Sequence, residues 1–150
     1  MVNKRHVINV QGAIFREDGR FLIIKRSERE DFMPGILALP GGTIEPEDEA
    51  ADDVLKTAIK REIYEETHVE ADVVDLVLTR FFMADDDPVI NVVFLCKYIT
   101  GEPRARDPEE VEDVFWMTVE DAINDPHCRS WTREYLTSAQ TTMINHPQQK

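Results

Sequence analysis

The sequence has 150 residues, a formal net charge of −13 at pH 7 and two cysteines, Cys96 and Cys128, that lie far apart. Its length fits one domain over residues 1–150, and the acidic excess argues against nucleic-acid polymers and anionic membranes as partners. The lack of a long apolar run argues against a signal peptide or membrane span, and the isolated cysteines indicate reduced thiols, so we expect a cytoplasmic protein.

The first predicted elements are strands. Residues 6–15 (HVINVQGAIF) and 21–25 (FLIIK) are rich in apolar and β-branched residues, and residues 17–20 between them favour a tight hairpin turn. Gly12, inside the first strand, is a candidate for a bulge or for a close approach of another element. A polar loop then leads to a short predicted strand over residues 36–39.

The most informative segment, residues 39–69, opens with a Pro-Gly-Gly turn and continues into a helical pattern. Gly41 and Gly42 lack a Cβ, so the backbone can turn sharply there and come close to a ligand. Pro46 suits a first helical turn, and about twenty residues without Gly or Pro follow it. The segment therefore predicts a loop that presents its backbone, followed by a long helix.

Three carboxylates extend the inward face of this predicted helix. At about 100° per residue, five apolar residues share one sector: Ala51, Val54, Leu55, Ala58 and Ile59. The same register places Glu62 in the middle of that sector and Glu65 and Glu66 on its flanks. Carboxylates at this spacing repel each other and are unfavourable to bury alone, a conflict that Mg²⁺ or Mn²⁺ resolves. The alternative is an ordinary solvated acidic face.

The same segment resembles the Nudix box, G-x5-E-x7-R-E-U-x-E-E-x-G-U, in which U is a bulky aliphatic residue. Gly42 matches the first glycine, and residues 61–66 (REIYEE) match R-E-U-x-E-E at every position. Between the acidic position, which is Asp48 by strict count or Glu49 beside it, and this motif the chain is about five residues too long. His68 replaces the last glycine at a position that often takes a positive φ, which His adopts less easily than Gly.

The resemblance implies a fold of the α/β class: an α/β/α sandwich with a mixed β-sheet between the box helix and a C-terminal helix. The extra residues are expected to lengthen the loop or the start of the box helix. Downstream, residues 71–83 predict one long strand or two short ones, and residues 89–99 and 114–117 predict further strands. Thr118 is expected to cap a short helix, and residues 130–143 to form the last helix.

The chemistry implied by the resemblance is metal-dependent hydrolysis of a phosphoanhydride in a nucleoside diphosphate joined to another group. By position, Glu65 and Glu66 are expected metal ligands, assisted by the carbonyl of Gly42, with Mg²⁺ or Mn²⁺ as the cofactor. Glu62 is expected to be a third ligand or the general base. Arg61 would hold a box carboxylate in place, so the predicted catalytic residues are Glu62, Arg61 and Glu65.

Other candidates come from positions outside the helix. Nudix proteins commonly use a downstream glutamate as an extra metal ligand or base, and both Glu110 and Glu112 fit. Arg26 matches a basic residue that often faces substrate phosphate, although an exposed strand-end charge is the alternative. Gly41 is expected to lie against the substrate.

Aromatic side chains near the cleft are the candidates for stacking on a nucleobase. Phe81, Phe82 and Trp116 fill this role, although each also fits a core position. Trp131 is expected to be a core residue on the face of the last helix.

A small chain with few marks beyond the box favours a nucleoside triphosphate pyrophosphohydrolase acting on small-molecule nucleotides, and homodimers are common in the family. The ADP-ribose group carries a proline about fifteen residues after the box, where this chain has Ala84 and Asp85. Two other classes remain as alternatives. One is a catalytically silent Nudix domain that senses a nucleotide, and the other is a Nudix-fold isomerase, which would need a Cys–Glu pair.

Overall fold

The computed structural model describes residues 5–30 and 33–146, so positions 31–32 of the predicted polar loop lie outside the described residues. The described chain forms one mixed sheet, whose strands are β1 (Val7–Phe15), β2 (Phe21–Arg26), β3 (Leu37–Ala38), β4 (Gly41–Thr43), β5 (Glu70–Ala84), β6 (Asp87–Thr100) and β7 (Val111–Met117). The α-helices are α1 (Val54–Thr67), α2 (Val119–Ile123) and α3 (Ser130–Asn145). No helix within the described ranges is long and apolar enough to cross a bilayer.

The sheet follows the order β3-β2-β1-β6-β5, with β4 beside β1 and β7 beside β2. β1 and β6 run parallel over nine residue pairs, and the other pairings are antiparallel. β5 is one continuous strand at the edge of the sheet. Its pairing with β6 shifts register at three points in the first half of the strand. This resolves the prediction of one long strand or two short ones in favour of the single strand.

Alternate residues of β1 divide the core into two clusters. Val10 packs with Ile59 and Ile63 of α1 on one face of the sheet. Ala13 packs with Leu136 of α3 on the other face. The sheet therefore lies between α1 and α3, which confirms the α/β/α sandwich with a mixed sheet.

Gly12 is the point where α1 approaches the sheet most closely. A Cβ atom on Gly12 would stand 2.9 Å from Cδ1 of Ile63, and the register of β1 against β6 runs through Gly12 without a break. Of the two predicted roles for Gly12, close approach is therefore the correct one.

The box helix begins later than Pro46. Pro46–Ala50 form a 3₁₀ turn, and α1 starts only after Asp53, whose side chain accepts a hydrogen bond from the N–H of Lys56. The extra residues thus lengthen the connection into the helix, as expected. The inclusion of Ala51 in the inward helical sector was wrong, because Ala51 lies outside the helix.

The inward sector of α1 is rotated relative to the prediction. Ile63 and Thr67 are buried along with Ala58 and Ile59, so the buried sector is centred near Glu66 instead of Glu62. The helix ends at His68, which takes the left-handed conformation (φ 64°, ψ 15°) and donates its backbone N–H to the carbonyl of Tyr64. The last position of the box therefore does require a positive φ, and His68 supplies it.

Candidate active site

Gly41 and Gly42, which were predicted to form a turn, belong to a short strand. β4, which we call the glycine strand, pairs with β1 through Gln11–Gly41 and Val10–Gly42. A Cβ atom on Gly41 would collide with the carbonyl oxygen of Val10 and lie 2.8 Å from Cα of Gln11. Glycine at position 41 is thus what allows the loop to pair with β1.

Two carboxylates of α1 converge on the glycine strand. The backbone N–H of Gly41 donates to Oε1 of Glu66 over 2.7 Å. A Cβ atom on Gly42 would stand 2.6 Å from Cδ of Glu62, so the absence of a side chain there makes room for this carboxylate. We call Glu62, Glu66 and the glycine strand the carboxylate end of the site.

The environment of these carboxylates opposes their ionisation. Burial raises the pKa of Glu66 to about 8, and the charges of Glu62 and Glu110 act in the same direction against the N–H of Gly41 and the charge of Arg26. Burial also raises the pKa of Glu62, although Arg61 partly offsets the effect. The site therefore holds acidic groups that lack enough positive charge to balance them.

Arg61 connects the 3₁₀ turn to the carboxylate end. Its Nε and Nη2 atoms donate to both oxygens of Asp48 over 3.0 and 2.7 Å, and its Nη1 donates to Glu62 over 2.9 Å. The Asp48 carboxylate is 1% exposed, and the hydrogen bond from Arg61 holds the pKa of Asp48 below its usual range. Of the two residues that the sequence left open for the acidic position, Asp48 is buried and contacts Arg61, whereas Glu49 is exposed.

Glu65 does not lie with the other two box carboxylates. Its side chain is 52% exposed and accepts a hydrogen bond from Nη1 of Arg61 over 3.1 Å. The cause is the rotated sector of α1, which turns Glu65 toward solvent while Glu66 turns inward. In the described part of the chain, no three Asp, Glu, His or Cys side chains are grouped closely enough to hold a metal ion.

The structure separates the two downstream glutamates. Glu112 forms an ion pair with Lys25 over 3.1 Å across the β2–β7 pair. The charge of Glu110 instead contributes to the raised pKa of Glu66. Of the two downstream glutamates, Glu110 is therefore the one whose charge reaches the carboxylate end.

A cavity of about 790 Å³ opens between the carboxylate end, the sheet and α3. It is within the range of about 300–1,000 Å³ that small-molecule sites occupy. The predicted site residues along its wall are Arg26, Gly41, Gly42, Glu66, Phe81 and Phe82. The structure thus brings the predicted phosphate-facing and base-stacking residues to one cavity.

The structure places Trp131 at the cavity and Trp116 away from it. Trp131, expected in the core, is 39% exposed and lines the cavity. Trp116 lies instead in a separate hollow of about 380 Å³, with Tyr98 edge-on to its ring and the guanidinium of Arg16 4.8 Å from its ring centroid. The spacing of the buried α3 residues Thr132, Leu136 and Ala139 leaves Trp131 at the edge of the buried sector, and this signal could have found it.

Sequence reasoning also missed a set of amide side chains on the cavity floor. Asn9 and Gln11 of β1, which pair with the glycine strand, and Asn91 of β6 line the cavity, and we call them the amide end. The signal for them is the polar side chain at alternate positions of an otherwise apolar β1, which marks one face of the strand as polar.

A mixed sheet between two helices, with carboxylates of one helix gathered against a glycine strand, is the architecture of the Nudix fold. The family model described as NUDIX domain matches residues 5–138. The MutT-like protein of Streptomyces ambofaciens is 30% identical over 149 residues, which cover 89% of this chain and 89% of that protein. The chain therefore belongs to the Nudix family and is a hydrolase of phosphorus-containing acid anhydrides.

Other relatives agree with this assignment. The uncharacterized Nudix hydrolase YfcD of Escherichia coli K12 is 32% identical over 120 residues, which are 79% of this chain and 61% of YfcD. The crystal structure of a MutT protein from Methanosarcina mazei Go1 matches with a TM-score of 0.77 and 25% identity, covering 95% of this chain and 99% of that chain. The NUDIX domain of Shewanella oneidensis NrtR, crystallised with ADP ribose, shares the fold with a TM-score of 0.74 at 20% identity over 94% of this chain and 90% of its own.

Proposed function

We propose that residues 1–150 act as one catalytic domain, a divalent-metal-dependent pyrophosphohydrolase whose substrates are nucleoside triphosphates. The observation that carries the proposal is the convergence of Glu62 and Glu66 on the glycine strand at one end of the cavity. Partly desolvated carboxylates repel each other and would also repel a phosphate chain, so the site needs a cation to bind its substrate.

The donor set fits Mg²⁺ or Mn²⁺. The available groups are hard oxygens from Glu62, Glu66 and the carbonyl of Gly42, and Mg²⁺ is typically held by one or two carboxylates together with waters and substrate phosphates. When bound, such an ion would neutralise the diphosphate and lower the pKa of a water molecule. Glu65 is a further proposed ligand only if its hydrogen bond with Arg61 opens, and Glu110 is preferred to Glu112, which Lys25 holds.

The chain's own residues divide the remaining tasks. Arg61 orients Glu62 through a hydrogen bond of 2.9 Å, and Glu62 serves either as a ligand of the cation or as the general base that takes the proton of the attacking water. Arg26 lines the cavity close enough to affect the pKa of Glu66, and its Nε and Nη2 atoms are held by the carbonyl of Met33 and by Glu30. Its guanidinium is therefore positioned to contact a phosphate beside the carboxylate end.

The other end of the cavity suits a nucleoside. Phe81, Phe82 and Trp131 supply aromatic surface along its wall, and an aromatic ring can stack on any base. Similar structures carry the names ADP-ribose pyrophosphatase and UDP-X diphosphatase, so the substrate test must include these classes beside the triphosphates.

The test is release of phosphate or pyrophosphate from a panel of canonical and oxidised nucleoside triphosphates, ADP-ribose, dinucleoside polyphosphates and nucleotide sugars. Each substrate is assayed with Mg²⁺, Mn²⁺ or EDTA for the wild type, Glu66→Gln, Glu65→Gln and the matched control Glu70→Gln, which changes an exposed residue outside the cavity. Metal-dependent release from triphosphates that Glu66→Gln loses and Glu70→Gln keeps is the expected result. Nucleotide binding without release from any substrate would favour the silent sensor instead.

A further inference from the structure

The amide end contains a hydrogen-bonded network that links three elements. Asn9 of β1 stands opposite Asn91 of β6, and Nδ2 of Asn9 donates to Oδ1 of Asn91 over 2.8 Å. Nδ2 of Asn91 in turn donates to Oε1 of Gln11 over 2.8 Å and to the hydroxyl of Tyr135 over 3.3 Å. Asn91 is only 1% exposed, and both its nitrogen and its oxygen have partners.

This network fixes the direction of each amide. Nε2 of Gln11 donates to the carbonyl of Leu39 over 3.2 Å, so the oxygen of Gln11 must face Asn91. The oxygen of Asn91 must then face Asn9. Rotating the Asn9 amide by 180° would place two oxygens against each other, so Asn9 is held in a single orientation.

Asn9 and Gln11 nevertheless keep unused hydrogen-bonding capacity. Within residues 5–30 and 33–146, no hydrogen bond reaches Oδ1 of Asn9, the second N–H of Asn9 or the second N–H of Gln11. Both side chains line the cavity. The cavity floor thus presents one acceptor and two donors at fixed positions.

These groups lie at a suitable distance from the carboxylate end. Gln11 pairs with Gly41, whose N–H binds Glu66, and Asn9 is two residues farther along β1, roughly 7 Å away at the rise of a β-strand. Arg80 stands opposite Asn91 in register and forms an ion pair with Glu134 of α3 over 2.6 Å, which closes one side of the cavity. A planar ring entering beyond the phosphate-binding end would therefore meet a fixed polar floor between aromatic walls.

We propose that Asn9 and Gln11 recognise the hydrogen-bonding edge of the substrate's nucleobase, and that Asn9 determines specificity by offering one acceptor beside one donor. The inference rests on the proposed function, because it assigns the base-binding part of the same cavity. The preferred ligand is a base that places a donor, such as an exocyclic amine or a ring N–H, next to an acceptor. A nucleotide whose base lacks one of this pair leaves a group of the floor unpaired and is rejected.

The test compares ATP, GTP, CTP and UTP with analogues altered only at this edge. For the base that binds best, the analogue lacks the exocyclic amine. For uracil, the analogue carries a methyl group in place of the hydrogen on the ring nitrogen. Affinity is measured by calorimetry with the nonhydrolysable α,β-methylene forms, and kcat/KM with the hydrolysable forms. We expect the wild type to lose about tenfold to a hundredfold in both quantities with the analogue.

Variants of Asn9 connect this loss to the residue. In Asn9→Leu the parent nucleotide should bind as weakly as the analogue, with KM changed more than kcat. Asn9→Asp keeps the acceptor but loses both N–H groups, the one offered to the base and the one that binds Asn91, and it tests the same point if Asn9→Leu does not fold. Asn145→Asp makes the same chemical change at the exposed end of α3 and should retain the full discrimination.

The outcomes separate the two proposals. Equal affinity of the wild type for parent and analogue overturns the role of Asn9, and so does discrimination that persists undiminished in Asn9→Leu or Asn9→Asp. Discrimination in binding without any hydrolysis supports the role of Asn9 while the proposed catalytic function fails.

Discussion

The two ends of the cavity satisfy their polar groups in opposite ways. At the amide end, Asn91 is almost fully buried, and its amide is paired with neutral partners that fix its direction. At the carboxylate end, burial raises the pKa of both Glu62 and Glu66, and the charge of Glu62 raises the pKa of Glu66 further. The buried amide of Asn91 needs no charged partner, whereas neighbouring buried carboxylates require an added cation. The comparison assigns charge-dependent chemistry to one end and hydrogen-bond recognition to the other.

Removing the charge of Glu66 should have the largest effect. Glu66→Gln keeps an oxygen for the N–H of Gly41 but removes the proposed ligand, so we expect kcat/KM to fall at least about 100-fold. Steady-state pyrophosphate release in Mg²⁺ checks this, with Glu70→Gln as the control. Activity within a few-fold of the wild type would contradict the assignment of the carboxylate end.

The same variant should stabilise the metal-free protein at high pH. Burial, together with Glu62 and Glu110, raises the pKa of Glu66 from 4.5 to about 8, so the folded state favours the protonated acid. This contribution is fully present below about pH 4.5 and is lost as the pH rises toward 8. In EDTA, the advantage of Glu66→Gln over the wild type in free energy of unfolding should therefore grow from pH 5 to pH 8. A constant difference across this range would show that Glu66 does not titrate as described.

Arg61 should matter for stability as well as for activity. Arg61→Ala removes the two hydrogen bonds from Arg61 to the buried carboxylate of Asp48 and leaves it only the backbone N–H of Glu45, and breaking such a pair typically costs about 3 kcal/mol. Urea unfolding measures the loss. Arg61→Lys keeps the charge but not the two-pronged geometry and should recover only part of it. Full recovery by lysine would mean that charge alone matters at this position.

Gly42→Ala should lower kcat/KM less than Glu66→Gln does. The new Cβ atom would stand 2.6 Å from Cδ of Glu62, a flexible side chain that can move away. We expect unfolding to change little while kcat/KM falls roughly tenfold, because a shift of the reacting geometry by about 1 Å can lower the rate severely. Unchanged kinetics would show that the close approach of Gly42 to Glu62 is not needed.

Tyr135→Phe should have the smallest effect, and only at the amide end. The change removes one hydrogen bond to Asn91, worth about 1 kcal/mol of folding stability. Base discrimination should weaken slightly while the dependence on Mg²⁺ stays the same. A change in the Mg²⁺ dependence would show that the two ends are coupled.

Sequence patterns predicted the parts of this molecule that depend on local spacing. The six predicted strands, the last helix and the cap at Thr118 follow from residues close in sequence, and the structure confirms them, although it adds the glycine strand that was predicted only as a turn. The centre of the inward face of α1 was misplaced because Ala51 was counted within the helix, whereas Ile63 and Thr67 were not counted in the sector.

Long-range pairing was beyond sequence reasoning. Glu110 and Glu112 could be separated only when Lys25, on another strand, was seen to bind Glu112. Asn9 and Asn91 are 82 positions apart, so nothing local connects them into a recognition surface. Aromatic rings were difficult for the same reason: Trp116 fitted both a cavity and a core position, and the assignment of Trp131 to the core was wrong because it ignored the packing of α3 against the sheet.

The most direct test of the account is binding of Mn²⁺ to the carboxylate end, followed by electron paramagnetic resonance in the presence of a nonhydrolysable nucleoside triphosphate. The wild type and Glu70→Gln should bind the ion at a saturable site, and Glu66→Gln should bind it at least about tenfold more weakly. Equal affinity in all three proteins would contradict the claim that Glu66 and the glycine strand form the cation site.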